Sequence, residues 1–252
     1  MKKIKNLRDT SAKKVISEDS PFAIREAFNL LRTNLMYTTA GADGAPVFAV
    51  TSATESAGKS TVLANLAISF AQINKKVLLI DGDMRCPVIH SFFGLDYNDG
   101  GLSEIISGIN ENSVTKDVKE NLDVITSGRI PPNPSELITS PRFAEHIEQW
   151  RKEYDIIFID FPPIGIVTDA IANCQNITGY IFVIRSGKNT AKSVKTAINS
   201  MEQVGAKIAG IVLNDYNIKG TSKYNYGNSN YSKSTVSKYE SASKGNGGDQ
   251  SK

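Results

Sequence analysis

Six short runs of apolar, β-rich residues recur along the chain, with helix-like segments between them. The runs are continuous rather than alternating, which is typical of strands covered on both faces of a parallel sheet. They occupy residues 47–53, 76–81, 122–128, 155–161, 179–186 and 207–214. Helical spacing is clearest over residues 59–73, 135–151 and 189–204. This alternation predicts a three-layer α/β/α fold with a mostly parallel, doubly wound sheet, whose ligands bind at the carboxyl ends of the strands.

A separate helix is predicted ahead of the first strand, from Pro21 to Tyr37. Apolar residues recur there at steps of three and four: Phe22, Ala23, Ala27, Leu30, Leu31 and Leu35. Ser20 is the candidate N-cap, with Pro21 at the first helical position. Both ends of the chain are polar and lack such a pattern. We therefore predict a flexible basic N-terminus over 1–20, a folded domain over 21–217 and a disordered tail over 218–252.

Composition and charge indicate a globular protein and give no sign of a membrane helix or a signal peptide. With 252 residues, 40% hydrophobic and 22% charged, the chain suits one globular α/β domain with a large core. No apolar run approaches the length of a membrane helix, and the basic start MKKIKNLRDTSAKK lacks the apolar stretch of a signal peptide. We therefore expect a cytosolic protein. The net charge is +3, and both ends are basic, which indicates either contact with an acidic lipid or protein surface or simple solvation.

The segment TSATESAGKST (51–61) follows the first predicted strand and opens the next helix. A phosphate-binding loop reads GxxxxGK[ST] in this setting, and here Ala53 stands at the first glycine position. Gly58 matters more, because the backbone must approach the phosphates there. A chance GKS at an ordinary strand–turn–helix junction is the competing interpretation. The buried strand before the motif and the helix after it favour nucleotide binding.

The loop residues have distinct predicted roles. Backbone N–H groups at the helix N-terminus would cradle the phosphates. Lys59 would neutralise the charge of the β- and γ-phosphates, and the hydroxyl of Ser60 would ligate Mg²⁺. The predicted nucleotide-binding residues of the loop are Ser56, Ala57, Gly58, Lys59, Ser60 and Thr61.

Three aspartates end two of the predicted strands. Asp81 and Asp83 close VLLIDGD, and Asp160 closes IIFID. Carboxylates at strand ends beside a phosphate loop are placed to hold Mg²⁺ directly or through water, whereas a lone aspartate there is often only a cap or turn residue. Asp83 could also accept a proton from an attacking hydroxyl as a general base. Arg85 could pair with these acids, stabilise transition-state charge or form a surface salt bridge.

Together these motifs resemble the bacterial tyrosine kinases (BY-kinases) of capsule and exopolysaccharide operons. TSATESAGKST corresponds to their Walker A motif, VLLIDGDMRCP to Walker A-prime and IIFIDFPP to Walker B. Arg32-Thr33-Asn34-Leu35 matches the RTNL helix of the family, and SGRIPPNPSELI (127–138) is similar to a loop that follows one of its strands. The resemblance covers residues 20 to 215 and a tyrosine-rich tail.

The resemblance implies ATP-dependent phosphorylation of tyrosine on a P-loop fold. Lys59 and Ser60 would hold phosphates and Mg²⁺, Asp81 and Asp160 would serve the metal, and Asp83 would help activate the phenol, although the division between Asp81 and Asp83 stays open. Asn214 matches a position that often lines the adenine pocket in related ATPases. The implied autophosphorylation sites are Tyr224, Tyr226, Tyr231 and Tyr239, which lie in the polar tail where no ring could be buried.

The resemblance also implies partners. The contact helix of the family reads Glu-x-x-Arg-x-x-Arg, and this chain has Glu26, Asn29 and Arg32 at those positions. Glu26 and Arg32 would then contact a neighbouring subunit in a homo-oligomeric ring, or they form a solvated helix face. The chain resembles the split form of the family, in which a membrane-anchored activator, a polysaccharide co-polymerase, supplies an activating cytosolic segment. We therefore expect a peripheral protein at the inner face of the membrane, with a tyrosine phosphatase as a further partner.

Three other functions are weighed against the kinase. A partitioning or cell-division-site ATPase of the same class carries an early signature lysine in its loop, where this chain has Thr54, and has no use for clustered tyrosines. A non-catalytic, nucleotide-gated scaffold would not need an intact lysine and three aspartates. Nucleic-acid binding is not expected, because the few lysines among the tail tyrosines make a thin electrostatic footprint.

Overall fold

The computed structural model of the protein describes residues 15–39, 44–96, 100–165 and 169–216. Within these ranges the chain forms a seven-stranded sheet with the order β3-β4-β2-β5-β1-β6-β7. The strands are β1 (Val47–Ser52), β2 (Val77–Asp81), β3 (Thr115–Lys119), β4 (Leu122–Ile125), β5 (Ile156–Asp160), β6 (Gly179–Arg185) and β7 (Ile208–Asn214). All neighbours pair in parallel except β3 and β4, which are antiparallel. The described residues up to Asp215 form one compact unit.

Helices cover both faces of this sheet. They are α1 (Phe22–Thr38), α2 (Lys59–Ala71), α3 (Ile89–Phe93), α4 (Leu102–Ser107), α5 (Pro134–Ile138), α6 (Pro141–Glu153), α7 (Asp169–Ala172) and α8 (Ala191–Gln203), with a 3₁₀ turn at Cys174–Asn176. One apolar core lies between the sheet and α1, α2 and α3, and the other lies between the sheet and α4, α6 and α8. No helix of the described residues is long and apolar enough to span a membrane.

The predicted fold class is confirmed. Each of the six predicted apolar runs contains an observed strand, and β1, β2 and β5 are buried along their whole length. Alternate residues of β1 explain why the runs are continuous. Phe48 and Val50 face the core beneath α2, whereas Val47 and Ala49 face the opposite core. A strand with helices on both faces needs apolar side chains at every position.

Two strands depart from the prediction. β3 has the polar sequence TKDVK and is largely exposed, so it carries no apolar signal. It is an antiparallel edge strand with a register shift, and such edges are commonly charged in proteins, which keeps them from pairing with other chains. At the other edge, β7 was expected to be covered on both faces, but Ile211 and Leu213 are 54% and 51% exposed. Apolar runs reveal strands but not their places in the sheet.

Two helix predictions need correction. The helix expected over 135–151 is two helices, because Ser140 caps α6 by accepting a hydrogen bond from the Phe143 N–H, and Pro141 begins the new helix. Ser20 is not the N-cap of α1. Its hydroxyl accepts a hydrogen bond from the Ser17 N–H instead, and Pro21 takes the N-cap position with an extended backbone.

Ile16 lies within the range predicted to be flexible but packs against α2, and α1 is more exposed than predicted. Ile16 is buried, and its N–H donates to Asn65 Oδ1 at 2.5 Å, so the segment expected to be flexible over 1–20 already packs against α2 at this point. On α1, Leu35 is buried, but Leu30 is 63% exposed. The predicted apolar stripe of this helix therefore faces the core only in part.

Candidate active site

The loop between β1 and α2 has the backbone shape of an anion cradle. Ser56 and Gly58 both have positive φ angles, 57° and 91°, and Lys59 begins α2 directly afterwards. Successive residues in such a loop turn their N–H groups into one concavity, and the first N–H groups of the helix have no intrahelical partner. The structure thus brings the predicted residues from Ser56 to Thr61 together at the N-terminus of a 13-residue helix.

The backbone angle and the close contacts at position 58 both require glycine. The φ angle of Gly58, 91°, lies in the left-handed region, which side chains other than glycine rarely adopt. A Cβ at this position would also lie 2.1 Å from Nδ2 of Asn214. The Asn214 amide donates to the Ala57 carbonyl at 2.9 Å, which places the predicted adenine-pocket residue against the loop itself.

Ala53 fits the position where the general motif has glycine. It is not among the described residues with a positive φ, and its methyl group lies in the core beneath α6 and α8. The close approach occurs at the opposite residue, Gly165, where a Cβ would lie 2.4 Å from the Ala53 carbonyl oxygen. Glycine is therefore needed at 165 and not at 53.

Asp160 lies at the end of β5 beside the start of α2. The Ser60 hydroxyl donates to its Oδ2, whereas its Oδ1 is buried without a hydrogen-bond partner among the described residues. Burial raises the pKa of Asp160 to about 6, a rise that the nearby charge of Lys59 and the Ser60 hydrogen bond oppose and Asp83 reinforces. An unpartnered carboxylate oxygen inside a protein is costly unless a ligand occupies it.

Asp81 ends β2 and lies opposite Asp160 in the register of the sheet. Its Oδ2 accepts the N–H groups of Val88 at 3.0 Å and Ile89 at 2.9 Å, and its Oδ1 accepts that of Asp83 at 3.3 Å. Burial, followed by the charge of Asp160, raises the pKa of Asp81 well above its usual range. The three backbone bonds fix this carboxylate at the start of α3.

Asp83 and Arg85 continue along the same edge of the sheet. Asp83 is 6% exposed, and its Oδ1 accepts the Cys86 N–H at 3.0 Å. The exposed Arg85 donates to the Ser135 hydroxyl at 3.0 Å, which connects the segment after β2 to the loop 127–138. The segment from Asp81 to Arg85 and the loop 127–138 thus meet at the carboxyl ends of β2 and β4, next to that of β5.

The donor set fits magnesium held jointly with phosphates. Within the ranges that the structure describes, no group of three or more His, Cys, Asp or Glu side chains is arranged as a metal site. Mg²⁺ rarely uses such an all-protein cage, because it keeps several waters and binds one or two carboxylates together with substrate phosphates. The Ser60 hydroxyl and the unpartnered Oδ1 of Asp160 are oxygen atoms of the kind that would suit such a site.

Sequence reasoning missed the residues that hold the loop from the side of β6. Arg185 at the end of β6 donates to the Ser56 carbonyl at 3.1 Å, and Asn189 donates to the Thr54 hydroxyl at 2.8 Å. An arginine at a strand end carries no recognisable pattern. Only the neighbouring positions of β6 and β1 in the sheet bring it to the loop.

The helix predicted to contact a neighbouring subunit, α1, is hydrogen-bonded to α2. Arg32 donates to the Ser69 carbonyl of α2 at 2.6 Å, and burial lowers its pKa against the opposing effect of Glu26. Glu26 accepts a hydrogen bond from Asn29 at 2.8 Å. Arg32 therefore has an intramolecular partner and is not simply solvated. The four predicted phosphorylation sites, Tyr224, Tyr226, Tyr231 and Tyr239, lie outside the described residues.

Comparison with known proteins decides the family. Residues 45–242 match the ParA family, described as NUBPL iron-transfer P-loop NTPase. The putative tyrosine-protein kinase CapB of Staphylococcus aureus is 40% identical, over 81% of this chain and 89% of that protein. Tyrosine-protein kinase YwqD of Bacillus subtilis is 35% identical, over 88% and 94% respectively. This chain belongs to the bacterial tyrosine-protein kinases.

Solved structures agree with this assignment. The kinase domain of Escherichia coli tyrosine kinase ETK is 35% identical with a TM-score of 0.74, over 81% of this chain and 80% of that one. The chimerical protein CapA2B2 is 40% identical with a TM-score of 0.71, over 77% and 85%. The septum site-determining protein MinD of Pyrococcus horikoshii is only 22% identical, with a TM-score of 0.57 over 67% and 70%, and shares the fold alone.

The resemblance stated from the motifs is thereby confirmed, and so is the enzyme class, a protein-tyrosine kinase. The kinase has a P-loop NTPase fold, as predicted. Tyrosine-protein kinase wzc of Salmonella typhi is also 35% identical over 94% of this chain, but the chain spans only 33% of that longer protein.

Proposed function

We propose that this kinase transfers the γ-phosphate of ATP to the tyrosines of its own C-terminal cluster, Tyr224, Tyr226, Tyr231 and Tyr239, and thereby regulates the synthesis and export of a capsular or extracellular polysaccharide. The observation that carries the proposal is the buried, unpartnered Oδ1 of Asp160 beside Ser60, at the N-terminus of α2 and next to two further aspartates. A site built only for stability would satisfy that oxygen.

Nucleotide binding is assigned to the loop and the start of α2. The N–H groups from Ser56 to Thr61 donate to the phosphate oxygens, and Lys59, which is 8% exposed, places its charge beside them. Ser60 and Asp160 would hold Mg²⁺, and Asp81 is fixed next to them by its backbone hydrogen bonds. Bound magnesium supplies neutralisation of the charge on the β- and γ-phosphates.

Proton removal from the phenol is assigned to Asp83 rather than Asp81. Both oxygens of Asp81 already accept backbone N–H groups, and the side chain is fully buried. Asp83 is the more accessible of the two. In the proposed step the phenol oxygen bonds to the γ-phosphorus, the bond from that phosphorus to the β–γ bridging oxygen breaks, and ADP leaves. The phenol proton passes to the Asp83 carboxylate.

Partners are proposed from the family. A membrane-anchored activator, the polysaccharide co-polymerase, would hold the kinase at the inner face of the membrane, and a tyrosine phosphatase would reverse its reaction. Glu26 and Arg32 on α1 would contact the neighbouring subunit of a homo-oligomeric ring. The exposed apolar side chains of Ile24 and Leu30 support a contact through this helix.

The test is incubation of the purified kinase with Mg-ATP and the cytosolic segment of the activator, followed by mass spectrometry. We expect phosphate on the tail tyrosines and its loss in Lys59→Met. Lys75→Met is the matched control, because Lys75 forms an exposed ion pair with Asp155 at 3.8 Å outside the site. Hydrolysis of ATP without phosphotyrosine, or phosphate confined to other residues, would overturn the proposal.

A further inference from the structure

Two side chains from adjacent strand ends hold successive carbonyl groups of the phosphate loop. Arg185 Nη1 donates to the Ser56 carbonyl oxygen at 3.1 Å, and Asn214 Nδ2 donates to the Ala57 carbonyl oxygen at 2.9 Å. The Ser186 N–H donates to the Asn214 carbonyl at 2.9 Å and keeps the ends of β6 and β7 together. The loop is therefore fixed from one side by two strands that follow it far along the chain.

This contact determines where the amide groups of the loop point. A peptide unit is planar and trans, so its N–H lies opposite its carbonyl. Holding the carbonyls of Ser56 and Ala57 toward β6 and β7 directs the N–H groups of Ala57 and Gly58 to the other side of the loop. Those two N–H groups are among the proposed phosphate donors. Their orientation is preorganised before any ligand arrives, which removes an ordering cost from binding.

We propose that Arg185 is a positioning residue of the active site, which orients the phosphate-binding N–H groups through the Ser56 carbonyl. The inference rests on the proposed binding of ATP at this loop. The ligand group concerned is the di- or triphosphate moiety of the nucleotide, since the loop amides serve that part of it.

The guanidinium of Arg185 is itself held in place. The Nε and Nη2 atoms of the guanidinium contact Asp215 Oδ2 at 3.0 and 2.9 Å. The backbone N–H of Arg185 donates to Asn189 Oδ1 at 2.7 Å. Asn189 also donates to the Thr54 hydroxyl at 2.8 Å, a second connection from β6 to the loop. The planar guanidinium of Arg185 thus binds the Asp215 carboxylate and the Ser56 carbonyl at the same time. A lysine ammonium on a flexible side chain does not reproduce this geometry.

Global stability does not explain this arrangement. The Arg185 and Asp215 side chains are 40% and 60% exposed, and an ion pair at such a surface contributes little to folding. Arg151 provides the contrast. Its side chain donates to two carbonyls, that of Ala45 at 3.0 Å and that of Asn176 at 3.3 Å, but it is 19% exposed and Ala45 precedes the amino end of β1. That arginine joins elements remote from the phosphate loop.

The experiment measures Mg-ADP binding to the full chain by titration with a fluorescent ADP, together with the melting temperature of the nucleotide-free protein. Arg185→Gln should weaken binding about 10-fold, the loss expected for one hydrogen bond from a charged group. Its melting temperature should stay close to that of the wild type. Arg185→Lys should recover only part of the affinity. Arg151→Gln, the matched control, should bind Mg-ADP like the wild type and melt at a lower temperature.

Kinetics add a second readout. Because the loop amides contact the nucleotide in both ground and transition states, Arg185→Gln should raise the KM for ATP and change kcat less. If Arg185→Gln does not fold, Asp215→Ala takes its place, with an expected loss of about threefold, since an orienting partner contributes less than the direct bond.

Three outcomes would overturn the inference. The first is unchanged Mg-ADP affinity in Arg185→Gln, or in Asp215→Ala where that variant replaces it. The second is an equal loss in Arg151→Gln, which would show a global effect. The third is a fall in kcat with no change in KM. Failure of the wild-type chain itself to bind Mg-ADP would instead overturn the proposed ATP-dependent function, and the inference with it.

Discussion

Two carboxylate clusters lie toward opposite ends of the sheet and differ in how their charges are satisfied. At the carboxyl ends of β2 and β5, Asp81 and Asp160 are buried next to each other, and burial raises the pKa of both. Near the amino end of β4, Asp123 accepts hydrogen bonds from the Tyr154 hydroxyl at 2.7 Å and the Asp117 N–H at 2.8 Å, and it pairs with Lys116 at 2.9 Å.

The pKa of Asp123 moves in the opposite direction. Burial alone would raise it, but the hydrogen bonds from Tyr154, Asp117 and Lys116 together outweigh burial and lower it. In the first cluster the nearby charge of Lys59 and the hydrogen bonds to Asp81 and Asp160 do not outweigh burial, and Oδ1 of Asp160 has no hydrogen-bond partner among the described residues. In the second cluster the hydrogen bonds and the charge of Lys116 together do outweigh it. A carboxylate cluster left incomplete by the protein is suited to a ligand that completes it, while a completed cluster holds strands together.

The largest contrast is expected between Asp160→Asn and Asp123→Asn. Asp160→Asn should lower kinase activity about 100-fold, because it removes a proposed magnesium ligand. Its nucleotide-free melting temperature should not fall, since a buried charge beside Asp81 disappears. Asp123→Asn should keep its activity within about twofold and lose about 2 kcal/mol of unfolding free energy, as for a hydrogen-bonded charged group. Phosphotyrosine assays and urea titrations measure these effects. A destabilised Asp160→Asn variant with full activity would reverse the assignment of the clusters.

Tyr154→Phe should destabilise the kinase by about 1 kcal/mol, because it removes the hydroxyl that donates to Asp123 and accepts from Lys116 at 2.6 Å. Tyr154 is buried, with 8% of its surface exposed, and phenylalanine keeps the packing of the ring. Urea unfolding at neutral pH measures the effect. Tyr37→Phe is the matched control, because Tyr37 is 78% exposed on α1 and the same change there should be neutral. Equal losses in the two variants would contradict the role given to Tyr154.

The pH dependence of stability should separate the Asp123 cluster from the rest. Because the folded-state pKa of Asp123 is lowered, its contribution is present above the pKa of the unfolded chain and is lost as pH falls through the folded value. Subtracting the unfolding free energy of Asp123→Asn from that of the wild type at each pH isolates the contribution of Asp123 to stability. The difference should be constant near neutral pH and shrink under acid conditions. A difference that grows on acidification would exclude a lowered pKa.

The smallest effect is expected for an exposed carboxylate. Glu111 pairs with Arg142, and the two side chains are 60% and 41% exposed. Glu111→Gln should change the unfolding free energy by less than about 0.5 kcal/mol, because solvent screens such pairs. Activity should stay at the wild-type level. A loss of unfolding free energy as large as that of Asp123→Asn would show that burial of a carboxylate does not determine how much it contributes to stability.

Much of the site could be predicted because its chemistry is local in sequence. Gly58, Lys59 and Ser60 are consecutive, and Asp81 and Asp160 each follow an apolar run whose end marks the end of a strand. Parallel pairing then brings such ends to one edge. Arg185 and Asn189 carry no such signal, although they hold the loop. The same is true of Asp123, whose partners Lys116 and Tyr154 lie on other elements.

The sequence by itself determined the doubly wound class, the phosphate loop and the three aspartates, because short-range periodicity and consecutive motif residues encode them. Tertiary structure alone decided which carboxylates are satisfied. Asp81 and Asp160 end apolar runs and Asp123 lies within one, but nothing along the chain shows that the pKa of Asp123 is lowered while those of the other two are raised. Burial and hydrogen-bond partners depend on which strands become neighbours, and distant residues determine that order through packing.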